Sequence, residues 1–199
     1  MSGNSAFVIV GASLAGAKAA ETLRTEGFGG PVILLGAERE RPYERPPLSK
    51  DYLLGKAERE SIYVHPAGWY DEHDVTLRLG VTVSGIDRAT REVTLADGAR
   101  VGYAKLLLAT GSEPRRLAVP GADLDGVCYL RRVEDSDRIK TALQTASRVA
   151  VIGGGWIGLE TAAAARAAGA KVTVLEAADL PLLRVLGPEV ARVFAGLHL

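Results

Sequence analysis

Two glycine-rich runs carry the residue types and spacing most suited to chemistry in this chain: Gly11-Ala12-Ser13-Leu14-Ala15-Gly16 and Gly153-Gly154-Gly155-Trp156-Ile157-Gly158. Each follows a short apolar run, residues 6–10 and 149–152, and opens an alanine-rich stretch with helical spacing. In that strand–turn–helix setting the first glycine permits a tight turn. The middle position lets the backbone approach a pyrophosphate, and the last lets helix and strand pack closely. The helix then aims its free N–H groups and positive dipole end at the phosphates. One such loop is a weak signal. Two, both in context, predict two nucleotides on one chain, the arrangement needed to pass electrons between FAD and a nicotinamide.

Carboxylates stand where a ribose would meet each unit. Glu38 follows the expected strand Val32–Leu35 and is the best-placed acid to accept hydrogen bonds from a ribose diol. The plainer reading makes it one more charge in Glu38-Arg39-Glu40-Arg41. Glu176 ends the expected strand Lys171–Leu175, close to the roughly 20 residues after the loop that a ribose ligand requires. An acid there accepts a 2′-hydroxyl and repels a 2′-phosphate. Ala177 and Ala178 add no arginine to counter that charge, so NADH is expected over NADPH; the alternative is an exposed strand-end acid. In Arg41-Pro42-Tyr43-Glu44-Arg45-Pro46-Pro47-Leu48-Ser49-Lys50, three prolines predict a rigid, extended path followed by a Ser-capped helical turn.

The elements that must position these residues read as follows. Residues 14–26 form a helix whose thin apolar face (Ala15, Ala19, Ala20, Leu23) suits close packing on a sheet, and Gly27, Gly29, Gly30 and Pro31 stop it. Alternation at Val81/Val83, Val93/Leu95 and Val101/Tyr103, with a tight turn at Asp97-Gly98, predicts antiparallel strands. Pro114 and Pro120-Gly121 mark a passage between domains, giving 1–113 and 114–199. In the second, strands at 147–152 and 171–175 flank a helix from 156 to about 168, and a further helix begins near Pro188.

Composition narrows the classes. The 199 residues are 47% apolar and 24% charged, ordinary globular values. Basic and acidic residues balance at 24 each, so no net field points toward nucleic acid or an anionic membrane. No apolar run approaches the length of a membrane span, and the N-terminal apolar stretch reads as a strand rather than a signal peptide. Cys128 is the only cysteine, which leaves no disulfide framework, CxxC motif or thiolate cluster; a reducing cytoplasm fits best. His65, His73 and His198 lack metal-ligand spacing, so no metal is expected.

Taken in order, the first glycine loop, Pro46-Pro47-Leu48-Ser49-Lys50, Leu107-Leu108-Ala109-Thr110-Gly111, Tyr129-Leu130-Arg131 and the second loop with its Leu159-Glu160 make a specific set. Along its whole length the chain resembles the FAD-dependent NADH:ferredoxin reductases of the putidaredoxin reductase and rhodocoxin reductase type, within the pyridine nucleotide-disulfide oxidoreductase superfamily. The resemblance implies an α/β fold of two Rossmann-like dinucleotide-binding units with a β-meander crossover, the second unit incomplete. FAD would be held by the domain of residues 1–113 and NADH by that of 114–199.

The resemblance further implies cofactor contacts from Gly11, Ser13, Ala15, Gly16 and Glu38, and from Arg45, Pro46 and Lys50 in the proline segment. It implies that Val83 offers its backbone to the adenine, and that Ala109, Thr110 and Gly111 end a buried strand under the pyrophosphate. Arg131 joins these, with Gly153, Gly155, Trp156, Ile157, Gly158, Glu160 and Glu176 in the second unit. Lys50 and Glu160 would meet as a catalytic ion pair beside the flavin's reactive face. Glu160 buried unpaired would be costly, and a cation near the flavin favours the electron-rich reduced ring. Trp156 would pack against the nicotinamide, or serve packing alone. The activity implied is hydride transfer from NADH to FAD, then single electrons to a ferredoxin-like iron–sulfur protein. Disulfide reductases of this architecture use a cysteine pair, which one cysteine cannot supply.

Three departures stand out. Ser13 replaces the middle glycine of the first loop; its hydroxyl suits a phosphate, but its Cβ narrows the approach. The strand-end acid Glu38 follows Ala37, one place later than in some members. The family's chains run to roughly twice this length, whereas this one stops at His198-Leu199. That raises the alternative of a truncated nucleotide-binding fragment, a partner subunit without turnover, or the N-terminal piece of a larger reductase. Exposed strand edges would then invite self-association.

Overall fold

The computed structural model describes residues 6–198, which fall into two compact units. One comprises residues 6–44 and 62–113, the other 45–61 and 114–198. The division differs from the single cut expected at 113/114, because residues 45–61 pack with the second unit. The buried Ser136 hydroxyl donates to the Leu48 carbonyl at 2.8 Å, and Asp137 accepts from Tyr52 and Arg59 at 2.6 and 2.7 Å. None of these partners is a neighbour in sequence.

The first unit begins with β1 (Phe7–Val10), α1 (Leu14–Thr25) and β2 (Val32–Leu35). After a bridge between Tyr43 and Tyr63 come α2 (Trp69–Glu72) and β3 (Val75–Arg78). Then follow β4 (Val83–Asp87), β5 (Glu92–Leu95), β6 (Arg100–Gly102) and β7 (Lys105–Leu108). The parallel sheet has the order β3-β2-β1-β7, with Phe7 opposite both Val32 and Lys105. Its strands are short apolar runs because both faces are covered. Successive side chains point to opposite faces. Val8, Val10 and Leu35 therefore meet Val93, Leu95 and Val101 of the antiparallel meander β4-β5-β6, and Tyr103 just after it. Ile9 and Leu34 cluster with Ala20 of α1 and Tyr70 of α2.

Local chemistry sets the turns. Asp87 accepts the N–H groups of Ala89 and Thr90 between β4 and β5, and Gly98, at φ 87°, turns β5 into β6. The Arg24 guanidinium, at the end of α1, donates to the carbonyls of Phe28, Gly30, His73 and Asp74 at 2.5–2.9 Å. One expectation fails here. Among the described residues β7 pairs only with β1, and it is not buried: Leu107 and Leu108 are exposed.

The second unit contains α3 (Val133–Leu143), β8 (Arg148–Ile152), α4 (Trp156–Ala167), β9 (Lys171–Leu175) and α5 (Leu183–Leu197). β8 and β9 pair in parallel from Arg148–Lys171 to Ile152–Leu175. Leu53, Leu143, Ala164 and Ala165 form the buried cluster, and Ile139, Val149 and Val172 pack against it. The small alanines bring α4 close to its strands. The last helix starts before the expected Pro188. Leu182 adopts φ 59° ahead of it, and non-helical Gly187 (φ 73°, ψ 171°) breaks it just before Pro188. Pro188 thus opens the second of two helical pieces, where its missing N–H costs least.

Candidate functional site

In the first unit the turn after β1 leaves no room for a Cβ at either of its glycines. A Cβ on Gly11, at φ 116°, would overlap the Ala109 carbonyl oxygen, and a Cβ on Gly16 would overlap that of Gly11. The loop is thus seated against Ala109 and Thr110. Ser13 is the extended N-cap of α1, its side chain makes no cap bond, and the first turn of α1 holds no acidic residue. Ala15 lies in that first turn. Glu38 receives a hydrogen bond from the buried Tyr43 hydroxyl. Val83 opens β4 opposite Leu95, and Gly111 sits at φ 70° beyond β7.

The second unit repeats the device. Gly153 has φ 108°, and a Cβ on Gly158 would overlap the Gly153 carbonyl oxygen. Gly155 caps α4 with no side-chain bond. Glu176 closes over the loop. Its Oε2 accepts the Gly154 N–H at 2.6 Å, and its Oε1 accepts the Ala178 N–H at 2.9 Å. These backbone donors, Ala178 first, hold its carboxyl below the usual carboxylate range. A Cβ on Gly154 would lie 3.1 Å from Pro181 and 3.2 Å from the Glu176 carboxylate, so this position too is confined.

The proline segment departs from its expected form. Pro46–Ser49 is itself a 3-10 turn, and Ser49 ends it instead of capping a later one. The Ser49 hydroxyl donates to Glu160 Oε2 at 2.5 Å, across 111 positions of sequence. Lys50 Nζ lies 2.8 Å from Glu160 Oε1, with the lysine about half exposed (51%) and the glutamate less so (25%). Arg45 donates to the Arg131 carbonyl at 2.6 Å. Together with Pro46, Trp156 and Ile157, these residues line a pocket of about 350 Å³, all within the second unit. Trp156 presents an exposed ring, edge-on to Phe194 at 5.7 Å.

Sequence reasoning missed Ser49, Ser136 and the Tyr52–Asp137–Arg59 cluster, in which burial and then Asp137 push the Tyr52 hydroxyl up to about 12. Their partners are too distant in the chain for spacing to reveal. His65, expected to be structural or exposed, is buried and stacked on Trp69 at 3.9 Å. Among the described residues no acidic, histidine or cysteine group could hold a metal ion, and no helix is long and apolar enough to cross a membrane.

Two glycine-loop βα units, each followed by a carboxylate beyond its second strand, define an α/β protein. The family of pyridine nucleotide-disulphide oxidoreductases matches residues 5–198, and the chain belongs to it. Rhodocoxin reductase of Rhodococcus erythropolis is 45% identical over 96% of this chain and 45% of its own. The ferredoxin–NAD(+) reductase component of the anthranilate 1,2-dioxygenase system of Burkholderia cepacia is 47% identical over 95% of this chain and 46% of its own. The covalent putidaredoxin reductase–putidaredoxin complex contains a chain that superposes with TM-score 0.93 at 40% identity, covering 98% of this chain and 48% of that one. The chain thus spans about half the length of the curated relatives it matches. The family and its ferredoxin reductases use FAD and NAD(H).

Proposed function

We propose that the chain binds FAD on its first glycine loop and NADH on its second, and serves electron transfer from NADH through FAD to a ferredoxin-like iron–sulfur protein. The observation that carries this reading is the Lys50–Glu160 pair, assembled from distant segments at the mouth of the second loop's pocket. Relatives named for ferredoxin and putidaredoxin support the class of acceptor.

The residues fit both cofactors. Gly11 and Gly16 in the first loop and Gly158 in the second stand where a Cβ would overlap backbone, and each following helix begins with no side-chain cap bond. Gly11, Ser13, Ala15 and Gly16 would take the FAD pyrophosphate, with Ala109, Thr110 and Gly111 beneath it. Glu38 would hold the ribose and the Val83 backbone the adenine. Gly153, Gly155, Ile157 and Gly158 would take the NADH pyrophosphate, and Glu176 the 2′-hydroxyl. Arg45, Pro46 and Arg131 would line the flavin side of the pocket, with Trp156 against the nicotinamide. FAD, when bound, supplies acceptance of a hydride and release of single electrons. The chain's share is to orient the two rings, keep Glu160 paired, and hold the Lys50 charge where reduction builds electron density. A cytoplasmic setting suits the lone thiol. Among the described residues β7 and the β8–β9 pair have unpaired edges, which offer backbone for self-association.

The loops can be tested separately. Gly16→Ala should lower FAD binding while sparing NADH, and Gly158→Ala the reverse, each read by calorimetric titration. Overpacking against a backbone carbonyl costs about 1–3 kcal/mol, so each loss should be on the order of 10-fold or more. Unchanged affinities in both variants would refute the assignment.

A further inference from the structure

We propose that Ser49 is a positioning residue for the reductase chemistry: its hydroxyl holds one oxygen of the Glu160 carboxylate so that the other faces Lys50. The inference rests on the reading of Lys50 and Glu160 as the pair that serves the flavin. Its own support is geometric. Ser49 and Lys50, consecutive in the chain, each take one oxygen of the same carboxylate, at 2.5 and 2.8 Å.

The two anchors differ in stiffness. Lys50 reaches Glu160 on a flexible four-carbon stem, half in water, and such an ammonium alone fixes a carboxylate poorly. Ser49 is buried, with one rotatable side-chain bond, and its backbone is pinned from both sides. The Leu48 carbonyl beside it accepts the Ser136 hydroxyl at 2.8 Å. Beyond it, the Lys50 and Tyr52 N–H groups both donate to the Pro47 carbonyl, at 3.0 and 3.1 Å. Tyr52 is in turn held by Asp137, the residue after Ser136 on α3. Order therefore passes from α3 to the turn, through the Ser49 hydroxyl to Glu160, and from Glu160 to the lysine. Without the hydroxyl, Oε2 loses its donor in a partly buried place. The carboxylate then turns to find water or a second contact from Lys50, and either movement draws the ammonium from its station. No proton leaves Ser49 in this role.

The test uses Ser49→Ala, Glu160→Ala and the double variant. Single-turnover reduction of bound FAD by NADH should slow on the order of 10-fold in Ser49→Ala, the loss expected for one hydrogen bond to a charged group. NADH affinity should hold, and in the Glu160→Ala background the serine substitution should cost nothing further. A second readout needs no flavin. The Glu160 carboxylate stretch, isolated as the infrared difference between parent and Glu160→Gln chains, should shift in frequency when Ser49 becomes alanine. Ser49→Cys, gentler on the buried turn, is measured alongside and should change both signals in the same direction. Equal slowing with and without the Glu160 carboxylate, or an unmoved infrared band, would overturn the role. A Glu160→Ala chain that reduces FAD at the parent rate, with the infrared band still shifting, would instead strike the pair from the chemistry and leave Ser49 a structural contact.

Discussion

Replacing Glu176 offers a separation of charge from hydrogen bonding at the coenzyme ribose. The carboxylate is exposed and held in its ionised form by the Ala178 and Gly154 N–H groups, so near neutral pH it is an anion in water-like surroundings. Two unit charges about 4 Å apart in that medium repel by about 1 kcal/mol. A 2′-phosphate carries about 1.5–2 charges, which makes the penalty against NADPH about 1.5–2 kcal/mol, or roughly 10–30-fold. Glu176→Gln keeps an oxygen to accept the Gly154 N–H and removes the charge. It should lower the preference for NADH by that factor, chiefly through tighter NADPH binding. Glu176→Ala also loses the acceptor, so NADH itself should bind more weakly, by roughly 10-fold or more. Calorimetric titration of each variant with both coenzymes reads the outcome without requiring turnover. An NADH-to-NADPH ratio unmoved by Glu176→Gln would refute the electrostatic reasoning.

Other substitutions probe different parts of the molecule. Lys50→Met should slow reduction of bound FAD by NADH severalfold or more. It should leave the urea midpoint nearly unchanged, since an ion pair this exposed contributes at most about 1 kcal/mol; a parent-like reduction rate would remove Lys50 from the chemistry. Arg24→Ala breaks a fork that reaches four backbone carbonyls, and should lower stability in urea by about 2–3 kcal/mol, with a loss under about 0.5 kcal/mol contradicting its role as a clamp. Burial holds His65 below its ordinary value, so the unfolded chain takes up the proton first and stability falls as the pH drops below about 6.5. His65→Phe keeps the stack on Trp69 and should flatten the fall in urea midpoint between about pH 7 and 5, whereas an identical slope would show that His65 is not its source.

Much of the fold was legible because it is local. The glycine loops, β2 and β9 stand at the expected residues, since apolar runs bounded by glycines leave little choice of strand and turn. The Asp97-Gly98 turn is legible for the same reason: Gly98 sits at φ 87°, where few other residues rest. What was not legible is long-range. Nothing in the order of residues says that Ser136 seats Leu48, or that this contact carries residues 45–61 into the second unit. The Ser49–Glu160 bond spans 111 positions and has no periodic signature. The partner of Lys50 came from resemblance alone, because a lysine in a charged, proline-rich loop reads as surface. The buried strand expected at β7 came from the resemblance, and the exposure of Leu107 and Leu108 depends on what covers the sheet, which residue order does not state.

The most direct test of electron transfer through two bound nucleotides is the absorption spectrum of the purified chain with FAD, taken anaerobically before and after NADH. A yellow protein whose flavin band bleaches on adding NADH is the predicted result. A chain that takes up no FAD, or holds FAD that NADH leaves oxidised, would contradict it.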